Sequence, residues 1–370
     1  MESDREAEGL TRLARQALPD VQSQIQHTSQ KLRDEYGVHV NYVAPVSWQG
    51  QKVYALGSRV YFRPPSETFH EFLIQVLQET IGEEWRAEQA QLSERDQHFI
   101  FRASNEYGKW KAANSTDASR APDGHFAATP SGWVQYFISL AWDVATLIHA
   151  SNLPESLLER LRDQYEFQGA RYEIAIAAIF ARLDCTICFL NEEEGLQGSK
   201  HAEFIATHRP TAQEVAVETK SRRRPGILNE AGEFDRDDPL RGDPRAVRRR
   251  FLEALEQAPE GLPFMVFIDI NAPLQLDAET GREWLEDIRR WMDRLPSPSR
   301  EEPSVYNAFC VTNFSPHFQG VDVARGSEWL MVKPLYVEHP LRFDLTGMLS
   351  TALDMYHRVP EIAAGGEVRA

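Results

Sequence analysis

The sequence predicts a mixed α/β (α+β) protein in which a mixed central sheet is flanked by helices and preceded by an N-terminal α+β region. In the second half, helical and strand patterns alternate in the order α-β-β-β-α-β-α-β-β-α. Early hairpins followed by an α-β crossover are typical of a mixed sheet covered by helices. The length of 370 residues favours two domains. We place them at 1–150, of unassigned role in recognition, partner binding or dimerisation, and at 151–370.

The N-terminal region combines helices with a short meander of strands. Thr68 or Ser66, together with Glu71, has the spacing of a capping box and marks the start of the helix FHEFLIQVLQETIG. The other predicted elements of this region are a helix over 5–36, the strands VHVNYVAPV, QKVYALG and SRVYFRP, a helical stretch over 83–112 and a loop over 113–131.

The most apolar window is GWVQYFISLAWDVATLIHA, residues 132–150. It contains Gln135, Asp143 and His149, and its length barely reaches that of a membrane span, so we interpret it as a buried core helix. The polar, acidic start MESDREAEGL is not a secretory signal. We therefore expect no membrane association.

The three cysteines, Cys185, Cys188 and Cys310, are typical of a reducing compartment, and we expect a cytoplasmic protein. Cys185 and Cys188 form a C-x-x-C pair, but they lie in the strand pattern TICFL, where positions three apart point to opposite faces. This spacing argues against a metal or redox site.

The second half carries the predicted central sheet. Asp243 followed by Pro244 has the pattern of a helix start, with an N-cap and a first-turn proline. The predicted elements in chain order are helices over 154–165 and 167–183, strands TICFLNEE, KHAEFIATH and EVAVETKS, helix AVRRRFLEALEQA, strand PFMVFIDI, helix ETGREWLEDIRRWMDRL, strands NAFCVTNF and EWLMVKPL, and helix DLTGMLSTALDMYH.

Two of these strands bring acidic side chains together. In an antiparallel hairpin with its turn at Pro210 and Thr211, Glu203 stands opposite Glu218, about 5 Å away. Lys220 shares their face because strand side chains repeat every two residues. The opposite face is predicted to be apolar core and consists of Ala202, Phe204, Ala206, Val215, Val217 and Thr219.

A fourth group comes from the preceding helix. Glu173 shares a helix face with Ile176, Ala177 and Phe180, so its carboxylate is expected to point into packed surroundings. Burying such a charge is costly unless it is paired, and Lys220 or a divalent cation would compensate it. Arg171 or Arg182 at the helix surface is the alternative partner.

This set of side chains suits phosphodiester hydrolysis. Carboxylate oxygens are the ligands that Mg²⁺ prefers, and the metal polarises the phosphoryl group and lowers the pKa of a bound water. A lysine orients that water and offsets negative charge. Arg222, Arg223 and Arg224, just past the strand, would hold the nucleic-acid backbone.

Glu203 and the run Glu218-Thr219-Lys220, at hairpin spacing behind a helical Glu173, resemble the PD-(D/E)XK superfamily of restriction-endonuclease-like nucleases. The element order over 167–270 is similar to that common core. The resemblance implies that Glu203 and Glu218 bind Mg²⁺ or Mn²⁺ and that Glu173 supports the metal through water. It also implies that Lys220 positions the attacking water and that the Thr219 main-chain carbonyl is a further ligand. The sequence departs from the family at Glu203, where Asp is usual, and at Ala202, where Pro is usual.

The net charge and its distribution along the chain leave two functions open. The chain carries a net charge of −16, but residues 200–250 hold 12 Lys and Arg against 9 Asp and Glu. We therefore expect a metal-dependent nuclease that acts on DNA, with RNA left open, in a setting such as bacterial restriction or antiviral defence. The alternative is a catalytically inactive nuclease-fold subunit whose acidic surface binds a protein partner, since that surface would repel nucleic acid. A homo-oligomer also stays open.

Overall fold

The structure is a computed structural model. It describes residues 45–120, 125–150, 153–190, 201–224, 244–273, 283–324 and 326–362, together with isolated positions at 23, 24, 27, 43, 228, 368 and 369. Most of the helix predicted over 5–36, most of the strand VHVNYVAPV and the residue Asp243 lie outside the described part of the chain.

The described N-terminal region begins with an antiparallel three-stranded sheet made of β1 (Val46–Trp48), β2 (Gln51–Leu56) and β3 (Arg59–Arg63). Helix α1 (Phe69–Ile81) follows, and its predicted capping box is confirmed with Thr68 as the N-cap. The Thr68 hydroxyl accepts a hydrogen bond from Glu71 N at 3.1 Å, and the Glu71 carboxylate accepts one from Thr68 N at 2.8 Å.

The helical stretch predicted over 83–112 is wrong as a single element. It is divided into α2 (Glu83–Gln91) and α3 (Phe99–Asn114). His98 starts the second helix by accepting a hydrogen bond from Ile100 N at its ring Nδ1. The side chain of His98 therefore acts as a helix cap at a position where the apolar periodicity alone shows no break.

Helix α4 (Gly132–Ala150) confirms the predicted core helix, because most of its residues are buried inside the protein. In the described part of the chain, no helix is both long and apolar enough to cross a membrane. Helix α4 is followed by α5 (Glu155–Arg162) and α6 (Phe167–Arg182).

A six-stranded mixed sheet forms the centre and confirms the predicted fold class. Its order is β4-β5-β6-β7-β8-β9. The strands are β4 (Cys185–Phe189), β5 (Phe204–His208), β6 (Gln213–Ser221), β7 (Phe264–Asp269), β8 (Ala308–Asn313) and β9 (Glu328–Val332). Strands β4, β5 and β6 form an antiparallel meander, β7 and β8 continue it in parallel with β6, and β9 is antiparallel to β8.

Helices cover both faces of this sheet. On one face α6 packs against a core that includes Phe204, Val217 and Phe267. On the other face lie α7 (Pro244–Leu255) and α8 (Glu283–Met292), over a second core that includes Ala216. Helix α9 (Leu345–Asp354) completes the first core.

The predicted boundary at residue 150 falls inside a continuous hydrophobic core. Side chains from α1, α4, α6 and the central sheet belong to one buried cluster that extends from Val43 to Ile362. Glu361 even returns to the N-terminal region, where it accepts hydrogen bonds from Phe69 N at 2.7 Å and His70 N at 3.2 Å. The two predicted regions are thus joined by packing, whatever their separate roles.

Two buried ion pairs hold α6 in place. Arg171 donates to the Asp269 carboxylate of β7 at 2.6 Å, and Arg182 donates to the Asp143 carboxylate of α4 at 2.9 Å. Tyr356 donates a further hydrogen bond to Asp143 at 2.7 Å. The orientation of α6, and hence of any side chain that it carries towards the sheet, is fixed from both sides.

We predict that Arg182→Leu lowers the free energy of unfolding by about 3–5 kcal/mol, because it leaves Asp143 buried and unpaired. Urea denaturation at pH 8 measures this. Asp143→Asn combined with Arg182→Leu should recover most of the loss. The exposed Arg290, which pairs with Asp287 at 3.4 Å, is the matched control, and Arg290→Leu should cost less than about 1 kcal/mol. A double variant as unstable as Arg182→Leu would contradict the assignment.

Candidate active site

Lys220 joins the two predicted strand carboxylates. Its ammonium forms an ion pair with Glu218 Oε1 and lies 3.9 Å from Glu203 Oε1. The Glu218 side chain is fully buried, whereas Glu203 and Lys220 are 29% and 25% exposed. The cluster therefore combines one fully buried acid with two partly exposed charged groups.

The hairpin that carries these residues has the predicted register with one local change. Strands β5 and β6 pair from Phe204 opposite Val217 to His208 opposite Gln213, which confirms the turn position. One residue earlier, Glu203 N donates to Val217 O at 3.1 Å. Glu203 and Phe204 thus both stand opposite Val217, which is the arrangement of a β-bulge. The expectation that Glu203 stands directly opposite Glu218 is therefore wrong by one residue, because Glu203 stands opposite Val217.

This bulge also explains a second correction. Ala202 was predicted on the same face as Phe204, but it belongs to the core under α7 and α8, together with Ala216. An extra residue in one strand reverses the alternation of faces beyond it. The face that carries Glu218 and Lys220 is accordingly not polar throughout, since Ala216 beside them is part of an apolar core.

Glu173 approaches the same cluster from α6. Its carboxylate is nearly buried, and its Oε2 accepts a hydrogen bond from Arg160 Nη1 of α5 at 2.8 Å. Arg171 and Arg182, which the sequence offered as partners, instead pair with Asp269 and Asp143.

Arg160 is the site residue that sequence reasoning missed. It belongs to a different helix from Glu173, and the two meet only because the chain turns at Asp163, whose carboxylate accepts hydrogen bonds from Tyr165 N and Glu166 N. No periodicity within one helix connects them. The sequence signal that could have indicated this contact is a pair of helical patterns joined by a short polar turn.

Burial and the neighbouring charge of Glu203 control the protonation of Glu218 and Glu173. Burial, followed by the charge of Glu203, raises the pKa of Glu218 to about 8 and that of Glu173 to about 7. Lys220 and Arg160 act in the opposite direction on their respective partners. Burial favours neutral Lys220, but the carboxylates of Glu218 and Glu203 outweigh it and raise its pKa. Lys220 is therefore a cation at neutral pH.

The donor chemistry fits a hard divalent cation, although the present arrangement is compensated by side chains. Carboxylate oxygens are the ligands of Mg²⁺, and repulsion among three acids indicates a need for positive charge. Within the described ranges, no three His, Cys, Asp or Glu side chains are grouped closely enough to hold a metal ion. In this state Lys220 and Arg160 supply the positive charge. Thr219 lies between Glu218 and Lys220 in β6. This is the position from which its main-chain carbonyl is expected to bind the metal.

The arginine run after β6 is divided by its environment. Gln168 of α6 accepts a hydrogen bond from Arg224 N at 3.0 Å and donates one to Arg224 O at 3.1 Å. Arg224 is consequently buried, whereas Arg223 is exposed and Arg222 is half-buried. Arg222 and Arg223 thus reach the protein surface, but the Arg224 side chain does not.

Comparison with known protein families, with curated proteins and with solved structures gives no match. The chemistry of this site therefore has to be argued from its own geometry.

We predict that stability falls as the pH rises from 6.5 to 8. The folded protein binds protons at Glu173 and Glu218 up to about pH 7 and pH 8, whereas an unfolded glutamate has a pKa of about 4.3. The folded state thus holds more protons, and the unfolding free energy decreases with pH, by an amount on the order of 1 kcal/mol or more. Urea denaturation across this range measures it.

The variant Glu218→Gln should flatten this pH dependence, because the amide does not titrate. Glu214, an exposed glutamate of the same strand, is the matched control, and Glu214→Gln should keep the wild-type slope. Buried His317 and His357, whose pKa values are lowered by burial, act in the opposite direction near pH 6.5, because an unfolded histidine with a pKa of about 6.5 still binds protons there. Their contribution is the same in wild type and in Glu218→Gln, so the comparison of the two slopes cancels it. An equal slope in wild type and Glu218→Gln would contradict the protonation assigned to the site.

Proposed function

We propose that this protein is a metal-dependent nuclease that hydrolyses phosphodiester bonds, with DNA as the substrate. The proposal depends on one observation. The Lys220 ammonium lies beside the carboxylates of both Glu203 and Glu218, and Glu173 is electrostatically coupled to this group. These residues come from three separate elements. Convergence of three acids and one lysine near a solvent opening is a costly arrangement unless chemistry requires it.

Each residue has a role in this proposal. Glu203 and Glu218 would hold Mg²⁺ or Mn²⁺, with the Thr219 carbonyl beside them, and Glu173 would support the metal through water. When bound, the metal polarises the phosphoryl group and lowers the pKa of a coordinated water. Lys220 keeps its proton, orients the attacking water and offsets negative charge that develops on the phosphate. Arg160 keeps Glu173 oriented and partly neutralised.

The topology supports the same proposal. Helix α6, strands β4, β5 and β6, helix α7 and strand β7 follow one another in the chain, and β7 lies parallel to β6. This order and these directions are what a restriction-endonuclease-like core requires. A DNA-cleaving enzyme of bacterial restriction or antiviral defence is the setting that we propose, with the region before residue 150 available for recognition.

We predict that Lys220→Ala abolishes Mg²⁺-dependent cleavage of plasmid DNA and leaves the protein folded. Lys220 is partly exposed, so its loss opens no large cavity, whereas the water and the developing charge lose the ammonium beside them. Gel assays with plasmid, single-stranded DNA and RNA measure the activity, and circular dichroism checks the fold. Lys333, an exposed lysine just beyond β9, is the control. Cleavage by Lys220→Ala at the wild-type rate would refute the role of this lysine.

The alternative is a binding subunit that retains the fold without turnover. One observation favours it: Lys220 and Arg160 already compensate Glu218 and Glu173 through close ion pairs. A cluster closed in this way is stable without a metal. The net charge of −16 adds to this alternative, because an acidic surface suits a protein partner better than a polyanion.

Binding of Mn²⁺ separates the two functions. A preformed metal site predicts that Mn²⁺ raises the melting temperature, because a ligand present at about 100 times its Kd stabilises the folded state by about 2.7 kcal/mol. The rise should be larger at pH 8 than at pH 6.5, because ligation requires deprotonated carboxylates. Glu203→Ala should remove it, and Glu214→Ala should not. No Mn²⁺-dependent shift in wild type would favour the binding subunit.

A further inference from the structure

Helix α7 lies across the sheet directly beside the candidate active site. Its side chains Val247, Phe251 and Ala254 belong to the same apolar core as Ala216 of β6. This packing fixes the rotation of the helix about its axis. Arg250, next to Phe251 in sequence, is therefore held at the edge of the buried face, where its side chain is half-buried.

Other arginines surround Arg250. Burial lowers the pKa of Arg250, and the nearby positive charges of Arg249 and Arg222 lower it further. Glu253 is the carboxylate that opposes these effects. The positive charges at the end of β6 and on α7 therefore act on one another, although they are more than 25 positions apart in the sequence.

Among the described residues, these arginines have few counter-charges. In the part of the chain that the structure describes, Arg222, Arg223 and Arg250 form no ion pair with a carboxylate, and Arg249 has only an exposed contact with Glu253 at 3.5 Å. The arginines of α8, on the same side of the sheet, differ. Arg289 and Arg290 pair with Glu286 and Asp287 at 3.2 and 3.4 Å, which is the ordinary arrangement of surface arginines.

The backbone holds Arg222 in place without engaging its guanidinium. Arg222 N donates to Asp269 O at 3.0 Å, and Arg222 O accepts from Asn271 Nδ2 at 3.1 Å. Its position is thus fixed relative to the end of β7. A cation that is positioned by the backbone and lacks a protein counter-ion is preorganised for an external anion.

This surface adjoins the site. Glu253 of α7 acts electrostatically on both Lys220 and Arg250, so the arginines and the catalytic lysine lie within range of the same carboxylate. Like charges held together cost free energy unless an anion compensates them. In a protein with a net charge of −16, a local excess of arginine next to a carboxylate cluster indicates the path of a polyanion.

We propose that Arg222, Arg223, Arg249 and Arg250 form a phosphate-binding surface that holds the phosphodiester backbone of a nucleic acid beside Lys220. This inference rests on the proposed function, because it names the surface through which that site receives its substrate. Arg249 and Arg250 are assigned here to phosphate contacts, although their position in a helix with an apolar back would suggest an ordinary solvated face.

The test is the binding of short fluorescein-labelled DNA by the double variant Arg249→Ala/Arg250→Ala, measured by fluorescence anisotropy in EDTA over a series of salt concentrations. Loss of two phosphate contacts should reduce the slope of log K against log salt by about 1.8 for duplex DNA and about 1.4 for single strands. It should also weaken binding at low salt by about tenfold or more. Arg289→Ala/Arg290→Ala removes the same charge from the same side of the sheet and should keep the wild-type affinity and slope.

The outcomes are distinguishable from those of the proposed function. An unchanged affinity and slope in Arg249→Ala/Arg250→Ala would overturn the surface, as would an equal loss in the α8 control or a wild type that does not bind DNA. A wild type that binds DNA through these arginines but does not cleave it would support the surface and overturn only the nuclease.

Discussion

The arrangement of the whole site depends on one interaction, the ion pair between the Lys220 ammonium and the buried Glu218 carboxylate. Glu218 is fully buried in a sheet that helices cover on both faces. Desolvation favours the neutral form of an acid in that position, and the Lys220 ammonium opposes this effect. Lys220 forms this pair from the same strand and also reaches Glu203. The bulge at Glu203 makes this possible, because an irregular strand end can re-aim a side chain that regular pairing would direct elsewhere.

Charge balance separates this cluster from the other buried ions of the protein. Arg171 pairs with Asp269 and Arg182 pairs with Asp143, one cation to one anion, and these pairs bind α6 to its neighbours. The site instead holds three acids against Lys220 and Arg160, and the arginine surface beside it holds an excess of cations. Negative and positive excess therefore lie side by side. A divalent cation would balance the excess of acids, and a phosphodiester would balance the excess of arginines. The one-to-one structural pairs need neither, because they are already balanced.

Sequence patterns could predict what depends on one element or on one hairpin. The strand alternation and the turn near Pro210 place Glu203 near Glu218 and Lys220, and the helix face of Glu173 directs it inward. Contacts between distant elements could not be predicted in this way. Arg160 meets Glu173 only through the turn between two helices, and Arg250 approaches Arg222 only through the packing of α7. The bulge that displaces Ala202 has no signature in the alternation pattern, and neither does the His98 cap that divides the helical stretch 83–112.

Whether the cluster acts as a catalyst depends on how readily its carboxylates exchange one cation for another. Ion pairs formed by partly exposed side chains are weak, because water competes for both partners. Lys220 and Arg160 each retain substantial exposure, and only the carboxylates of Glu173 and Glu218 are deeply buried. Each of these two ion pairs thus joins a deeply buried carboxylate to a partly exposed cation. A cluster designed only for stability would bury both partners, as the Arg171–Asp269 pair does. The asymmetry favours a site in which the acids are permanent and the positive charge is replaceable, and that is the property that a metal-dependent enzyme needs.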